Sequence, residues 1–187
     1  TGPQCSGKTT LLDLCQEYYG DKFDYVTEVM RPLARKGFEI NEGGNNETQR
    51  AIIDAHIENI SLDNVIMDRC IIDGAAYSYY FYEKNQISSS TWSHCIREGM
   101  RKCLRKMDII FMTESVEMKD DGVRSTNIDF RERIEDIFNV YRKAFENDDR
   151  QWGEGIRFNG EFIYLTGDVD KRFNEVKIAI DKYECRT

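Results

Sequence analysis

Short apolar, β-branched runs alternate along this chain with longer stretches whose apolar residues recur every three or four positions. That alternation is the signature of a parallel sheet covered by helices on both faces. Leu11, Leu14, Cys15 and Tyr18 predict a helix over about 9–19, and Tyr25-Val26-Thr27 reads as a short strand. A helical piece at about 32–36 and a polar Asn/Gly loop over 41–46 follow. Ile52, Ile53, His56, Ile57 and Ile60 predict a helix over 47–60, and Val65-Ile66-Met67 forms the next strand. Beyond it come an aromatic-rich helix over 74–84, a serine turn at 88–90 that caps a helix over 91–105, and a strand at 109–112. Ser125 and Thr126 are candidate caps for a long helix whose Ile134, Ile137, Phe138, Tyr141 and Phe145 form one apolar stripe. A strand at 162–165 and a helix over 170–183 complete the pattern. The stretch 148–161, with Trp152, Gly153, Gly155 and Gly160, fits a loop or a small hairpin equally well.

No internal repeat interrupts this order, and a length of 187 residues with 40% apolar residues suits one domain over 1–187 with a sizeable core. There is no run of eighteen apolar residues and no signal-peptide pattern, so a cytoplasmic protein that does not enter the membrane is expected. The six cysteines are scattered without a C-x-x-C pair, which argues against a zinc site or a disulfide framework and fits reduced thiols. The net charge of −8 favours small nucleotides over DNA as partners. Arg97, Arg101, Lys102, Arg105 and Lys106 nevertheless gather on one predicted helix, as a solvated face or as a surface for a strand.

The chemistry is concentrated at the start of the chain. Gly2-Pro3-Gln4-Cys5-Ser6-Gly7-Lys8-Thr9 fills the phosphate-binding pattern G-x-x-x-x-G-K-[ST], and Thr10 continues into the predicted helix. Such a loop turns consecutive backbone N–H groups toward a polyphosphate at a helix N-terminus. Lys8 adds a movable positive charge, and the Thr9 hydroxyl is a magnesium ligand candidate. A loop of this kind follows a buried strand, and none precedes Thr1, so a chain trimmed at its N-terminus is the expectation.

Ligands of open α/β sheets bind beyond the carboxyl ends of the strands, and three predicted strands end in charge: the first at Glu28, the second at Asp68-Arg69, and the strand at 109–112 at Thr113-Glu114. Asp68 follows Val65-Ile66-Met67 in the manner of a magnesium-binding acid, with Arg69 beside it to hold an anion. Glu28 follows the first predicted strand, either as a base that takes a proton from a hydroxyl acceptor or as a first-turn Glu favoured by the helix dipole. Arg31 faces the same cleft and orients the acceptor. The glycine-containing segment 120–125, followed by Arg131 and Arg133, reads as a lid over about 115–133, in which Arg124 and then Arg131 cover charge that develops on the transferred group. Tyr77 and Phe81 share one helical face and are candidates to stack on a planar base, although core packing competes for each. Trp92 and His56 fall under the same reservation, and two distant His residues make no metal cluster.

The phosphate loop, Asp68-Arg69-Cys70-Ile71-Ile72-Asp73-Gly74 and Asp121-Gly122-Val123-Arg124-Ser125 together resemble the P-loop kinases of nucleosides and nucleotides. Those include thymidylate, deoxynucleoside and ribosylnicotinamide kinases and the related small phage-type ATPase/kinase domains. The resemblance implies a three-layer P-loop α/β sandwich with a five-stranded parallel sheet of order 2-3-1-4-5, helices on both faces and a helical lid. It implies ATP with Mg2+ as donor, Glu28 as the base, Arg69 as the arginine of the Asp-Arg pair and Arg124 as a lid arginine. The loop after the last strand, with Gly167 and Arg172, would border adenine. The implied activity is transfer of the γ-phosphoryl group to a hydroxyl of a nucleoside, nucleotide or nucleobase-derived small molecule, and a homodimer is compatible with it. Three alternatives stay open: a nucleoside monophosphate kinase gripping a phosphate with Arg31 and Arg69, a kinase of hydroxymethylated pyrimidines in DNA, and a nucleotide-dependent regulatory ATPase.

Overall fold

Most of the long helices begin where a side chain accepts one of the N–H groups that the first turn leaves without a partner. Asn45 accepts from Thr48 N–H at 3.0 Å and opens α3 (Asn46–Asn59). Asp168 accepts from Lys171 N–H at 2.9 Å and opens α8 (Val169–Glu184). The long amphipathic helix is α7 (Ile128–Glu146), and its cap is Asn127, which accepts from Phe130 N–H at 3.1 Å. Ser125 and Thr126, the caps expected from sequence, lie outside the described residues, which are 1–115, 127–147 and 155–186 of this computed structural model.

The remaining elements are α1 (Lys8–Tyr19), β1 (Asp24–Val26), α2 (Met30–Arg35), β2 (Val65–Met67), α4 (Ile71–Glu83), α5 (Ser89–His94), α6 (Arg101–Cys103), β3 (Ile109–Thr113) and β4 (Glu161–Leu165). A π-helical turn, Cys95–Met100, joins α5 to α6. Helix α4 starts three residues before the expected Gly74 because the Asp73 carboxylate accepts the Cys70 N–H at 3.0 Å and closes its first turn. Of the unassigned stretch 148–161, the described part buries Ile156 and Phe158 against the core, with Phe158 edge-on to Phe145.

The strands alternate between two apolar clusters. Ile110, Met112, Phe162 and Tyr164 pack toward the cluster formed with α3, α4 and α7, while Phe111, Ile163 and Leu165 pack toward the one formed with α1 and α8. Helices thus cover both faces, as the period-2 pattern of a sandwiched sheet requires.

The described residues form two parallel pairs, β1 with β2 and β3 with β4, and do not confirm a five-stranded sheet of order 2-3-1-4-5. Between β2 and β3 runs a slot of about 600 Å³ lined largely by apolar residues of both strands. Thr1 lies at this slot and engages β3 as a parallel neighbour does: its N–H donates to Phe111 O at 2.9 Å, and Thr113 N–H donates to Thr1 O at 3.0 Å. All four strands nonetheless deliver their carboxyl ends to the chemistry-bearing residues Glu28, Asp68, Glu114 and Gly167.

Candidate active site

The phosphate loop is held by its own side chains. Gly2 adopts φ 136°, and a Cβ there would fall 2.7 Å from the carbonyl of Thr113, so only glycine lets the loop lie against the end of β3. Ser6 is fully buried; its hydroxyl donates to Pro3 O at 2.9 Å and accepts from the Thr113 hydroxyl at 2.5 Å. Cys5 takes the left-handed φ of 60° that turns the loop back toward Gly7, the left-handed residue that precedes α1. No side chain caps α1 and no acid occupies its first turn, so its N-terminus presents free N–H dipoles suited to an anion.

Lys8 bends back over the loop, donating to Gly2 O at 2.9 Å, Pro3 O at 2.6 Å and Ser6 Oγ at 3.0 Å. Burial, reinforced by the charge of Arg69, pushes its ammonium down to about 7 despite the nearby Asp73, Asp68 and Glu28. A polyphosphate would supply the negative charge that this buried ammonium favours.

Thr9 and Asp68 meet across the loop, the Thr9 hydroxyl donating to Asp68 Oδ2 at 2.5 Å. Asp68 is 5% exposed, and its Oδ1 has no hydrogen-bond partner among the described residues. An orphaned buried carboxylate oxygen beside a hydroxyl is the donor set of a hard cation that takes its other ligands from phosphate and water. No group of three or more His, Cys, Asp or Glu side chains suited to a metal occurs among the described residues.

Beyond the loop opens a cleft whose walls include Gln4, Glu28, Arg31, His56, Arg69 and Tyr77. Arg69 takes φ 77°, and its Nε donates to Glu28 at 2.8 Å while Nη1 donates to Asp73 at 3.1 Å. Arg31 Nε donates to the other Glu28 oxygen at 2.6 Å. Burial alone would raise the Glu28 carboxyl, but the Arg69 charge and hydrogen bond, followed by Arg31, outweigh it and hold Glu28 below the usual carboxylate range. Glu28 is thus an ionised acceptor facing the cleft at neutral pH.

The sequence-predicted residues separate into three groups. Lys8, Thr9, Glu28, Arg31, Asp68, Arg69 and Tyr77 surround the loop and cleft, and Arg131 lines a small recess with Pro3 and Gln4. Thr10 is exposed on the first turn of α1. Phe81 departs from expectation: only 1% exposed, it packs with Tyr80 and Phe130 in the core, and the absence of a Cβ on Gly44 lets its ring approach. Burial of a phenylalanine contributes about 1.5–3 kcal/mol, which accounts for its inward position. Arg172 is 4% exposed and donates to Ser6 O and to Glu114, both at 2.9 Å, while Gly167 N–H donates to the same Glu114 oxygen at 2.7 Å. Arg172 therefore props the loop from behind. Arg124 and most of the expected lid lie outside the described residues.

Sequence reasoning missed Asp73 and Glu114 as anchors of these arginines, and it placed Gln4 only on the donor side. The available signal for Asp73 was its position four residues after Arg69, a helix-compatible ion-pair spacing. Glu114 offered only its place at a strand end.

A family model described as an AAA domain matches residues 1–172. Among solved structures, deoxyadenosine kinase from M. mycoides with the products dCMP and a flexible dCDP bound superposes with a TM-score of 0.68 at 12% identity, covering 97% of each chain. The same enzyme with bound dCTP gives 0.55 at 12% identity, covering 97% of this chain and 96% of that one. YorR protein from Bacillus subtilis in complex with phosphorylated GDP gives 0.52 at 14% identity, covering 98% and 95%. No curated protein matches the sequence significantly. At these identities the superpositions speak for the fold, and no helix among the described residues is long and apolar enough to cross a membrane. The family match over nearly the whole chain carries the assignment: the protein belongs to this AAA domain family and has the α/β fold of the P-loop nucleoside and nucleotide kinases.

Proposed function

We propose that this protein transfers the γ-phosphoryl group of ATP to a hydroxyl of an uncharged nucleoside-like acceptor. The observation that carries this reading is Glu28, an ionised carboxylate fixed by Arg69 and Arg31 in the wall of the cleft beside the phosphate loop. A hydroxyl acceptor must lose a proton as its oxygen bonds to phosphorus, and on this reading Glu28 receives it. An acceptor that is itself a phosphate has no such need.

The charge inventory of the cleft supports the same choice. Arg31 and Arg69 are matched by Glu28 and Asp73, so the wall offers no net positive charge for an acceptor phosphate. A nucleoside monophosphate kinase would need these arginines released from their carboxylates.

On this reading Lys8 and the loop N–H groups bind the β and γ phosphates, Thr9 and Asp68 would hold magnesium, and Arg131 reaches the transferred group from the α7 side. Magnesium supplies charge neutralisation on the phosphates. Glu28 takes the acceptor proton, the acceptor oxygen bonds to the γ-phosphorus, and the bond from phosphorus to the bridging oxygen breaks to release ADP. Arg124 and the segment about 115–133 act as a lid that excludes water.

The test is a γ-phosphate transfer screen with radiolabelled ATP over free nucleosides, nucleoside monophosphates, ribosylnicotinamide and DNA containing hydroxymethylated bases. Labelled nucleoside supports the proposal. Label on a monophosphate or on DNA, or slow ATP hydrolysis that no acceptor stimulates, transfers the protein to one of the other classes.

A further inference from the structure

Two neutral polar groups in the acceptor cleft have unmet hydrogen bonds, and the transfer mechanism uses neither. Gln4 is 8% exposed; its Nε2 donates to the Tyr77 hydroxyl at 3.0 Å, but its Oε1 is buried without a partner among the described residues. His56, on α3, is 4% exposed, and its Nε2 is likewise without a partner. Both line the cleft that holds Glu28. Leaving a buried polar atom unpaired is unfavourable, so two on one cavity wall are best explained by a ligand that completes them.

The surroundings narrow what that ligand is. Ile40, Ile52, Val29 and Met30 give the cleft apolar walls, and Gly74 presents no Cβ beside the His56 ring. Burial holds the imidazole largely neutral, lowering its pKa to about 4. Apolar surfaces with an amide oxygen and a neutral imidazole suit a flat, uncharged heterocycle carrying N–H groups rather than a phosphate or a carboxylate.

We propose that Gln4 and His56 form a base-reading pair, in which Gln4 Oε1 accepts a hydrogen bond from an N–H of the acceptor's heterocycle and His56 Nε2 meets a second polar atom on the same ring. This rests on the assignment of the cleft to the phosphoryl acceptor. It adds that selectivity comes from the ring, and that the phosphate loop itself contributes a reader through Gln4.

Titration calorimetry on the full chain tests the pair without requiring turnover. Uridine is compared with N3-methyluridine, and adenosine with N6,N6-dimethyladenosine, for the wild type, Gln4→Met and His56→Leu, each with a nonhydrolysable ATP analogue present. For a parent nucleoside that binds, methylation of its N–H weakens binding to the wild type at least tenfold and to Gln4→Met less than threefold. His56→Leu weakens binding of the unmethylated nucleoside about tenfold, and His56→Gln restores part of it. The pair is overturned if Gln4→Met discriminates against the methylated nucleoside as strongly as the wild type, if His56→Leu binds the parent normally, or if the wild type binds no nucleoside. Binding with ring discrimination but without label transfer would discard the kinase reading and keep the pair; transfer to nucleosides regardless of the ring would do the reverse.

Discussion

Ser6 of the phosphate loop bonds both Lys8 and the Thr113 hydroxyl, and Lys8 bonds the loop carbonyls, whereas in the adjoining cleft Gln4 Oε1, from the same loop, and His56 Nε2 are left without partners among the described residues. The donor side is closed upon itself, so a nucleotide must displace Lys8 from three protein acceptors before gaining its charge. On the proposed function the acceptor side exchanges nothing of that kind, and an incoming ring would complete bonds that the protein leaves open. On the proposed function, donor binding would depend on a difference between two sets of hydrogen bonds, and acceptor binding on fit.

The largest perturbation of this contrast is Lys8→Ala, which removes the movable cation. Transfer is expected to fall on the order of a thousandfold in a single-turnover assay, with the fold intact by circular dichroism. A loss below tenfold would detach Lys8 from the donor. On the acceptor side the sharpest readout is thermodynamic. His56 has a folded pKa of about 4 against an ordinary value of 6.5, so the unfolded chain binds the extra proton between those values and stability drops as pH falls from 6.5 to 4. At 1.36 kcal/mol per unit the difference reaches about 3 kcal/mol. Urea unfolding at several pH values should show that loss in the wild type and its absence in His56→Leu; parallel pH profiles would place the imidazole in contact with water.

Glu28→Gln is expected to lower kcat about a hundredfold, or roughly 2.7 kcal/mol, with little change in KM for ATP. Near-normal turnover would leave Glu28 a structural partner of Arg69. The smallest expected effect is that of Arg172→Met, which strips the loop of its prop at Ser6 O and leaves Glu114 without its arginine. About 2 kcal/mol of stability should disappear in chemical denaturation, accompanied by weaker ATP binding. An unchanged affinity would show that the loop keeps its shape unaided.

What the sequence made legible follows the range of the interactions involved. The helix after the phosphate loop and the strand Val65–Met67 fall where local pattern places them, because periodicity and motif act over a few residues. The start of α4 was hidden because a carboxylate, Asp73, closes its first turn, and the cap of α7 because Asn127 stands immediately after two other eligible residues. Phe81 was ambiguous, since a shared helical face with Tyr77 does not reveal which ring the core takes. Both rings meet Phe130, but Phe81 is enclosed beside Gly44 while Tyr77 keeps its hydroxyl at Gln4 in the cleft wall. Gln4 and His56 gave even less away: a loop glutamine and a histidine on an apolar stripe become readable only when the cavity between them is seen. The two parallel pairs leave the five-stranded order unconfirmed, because a count of apolar runs carries no information on which edges pair.

The bond from Arg172 to the Ser6 carbonyl spans 166 residues and joins the beginning of the chain to its last helix. A ribosome releases the loop well before its brace, so the motif is made long before it can be locked into place. Nucleotide affinity should therefore arrive only once α8 has emerged, and a nascent chain halted before α8 would carry every residue of the signature without its grip.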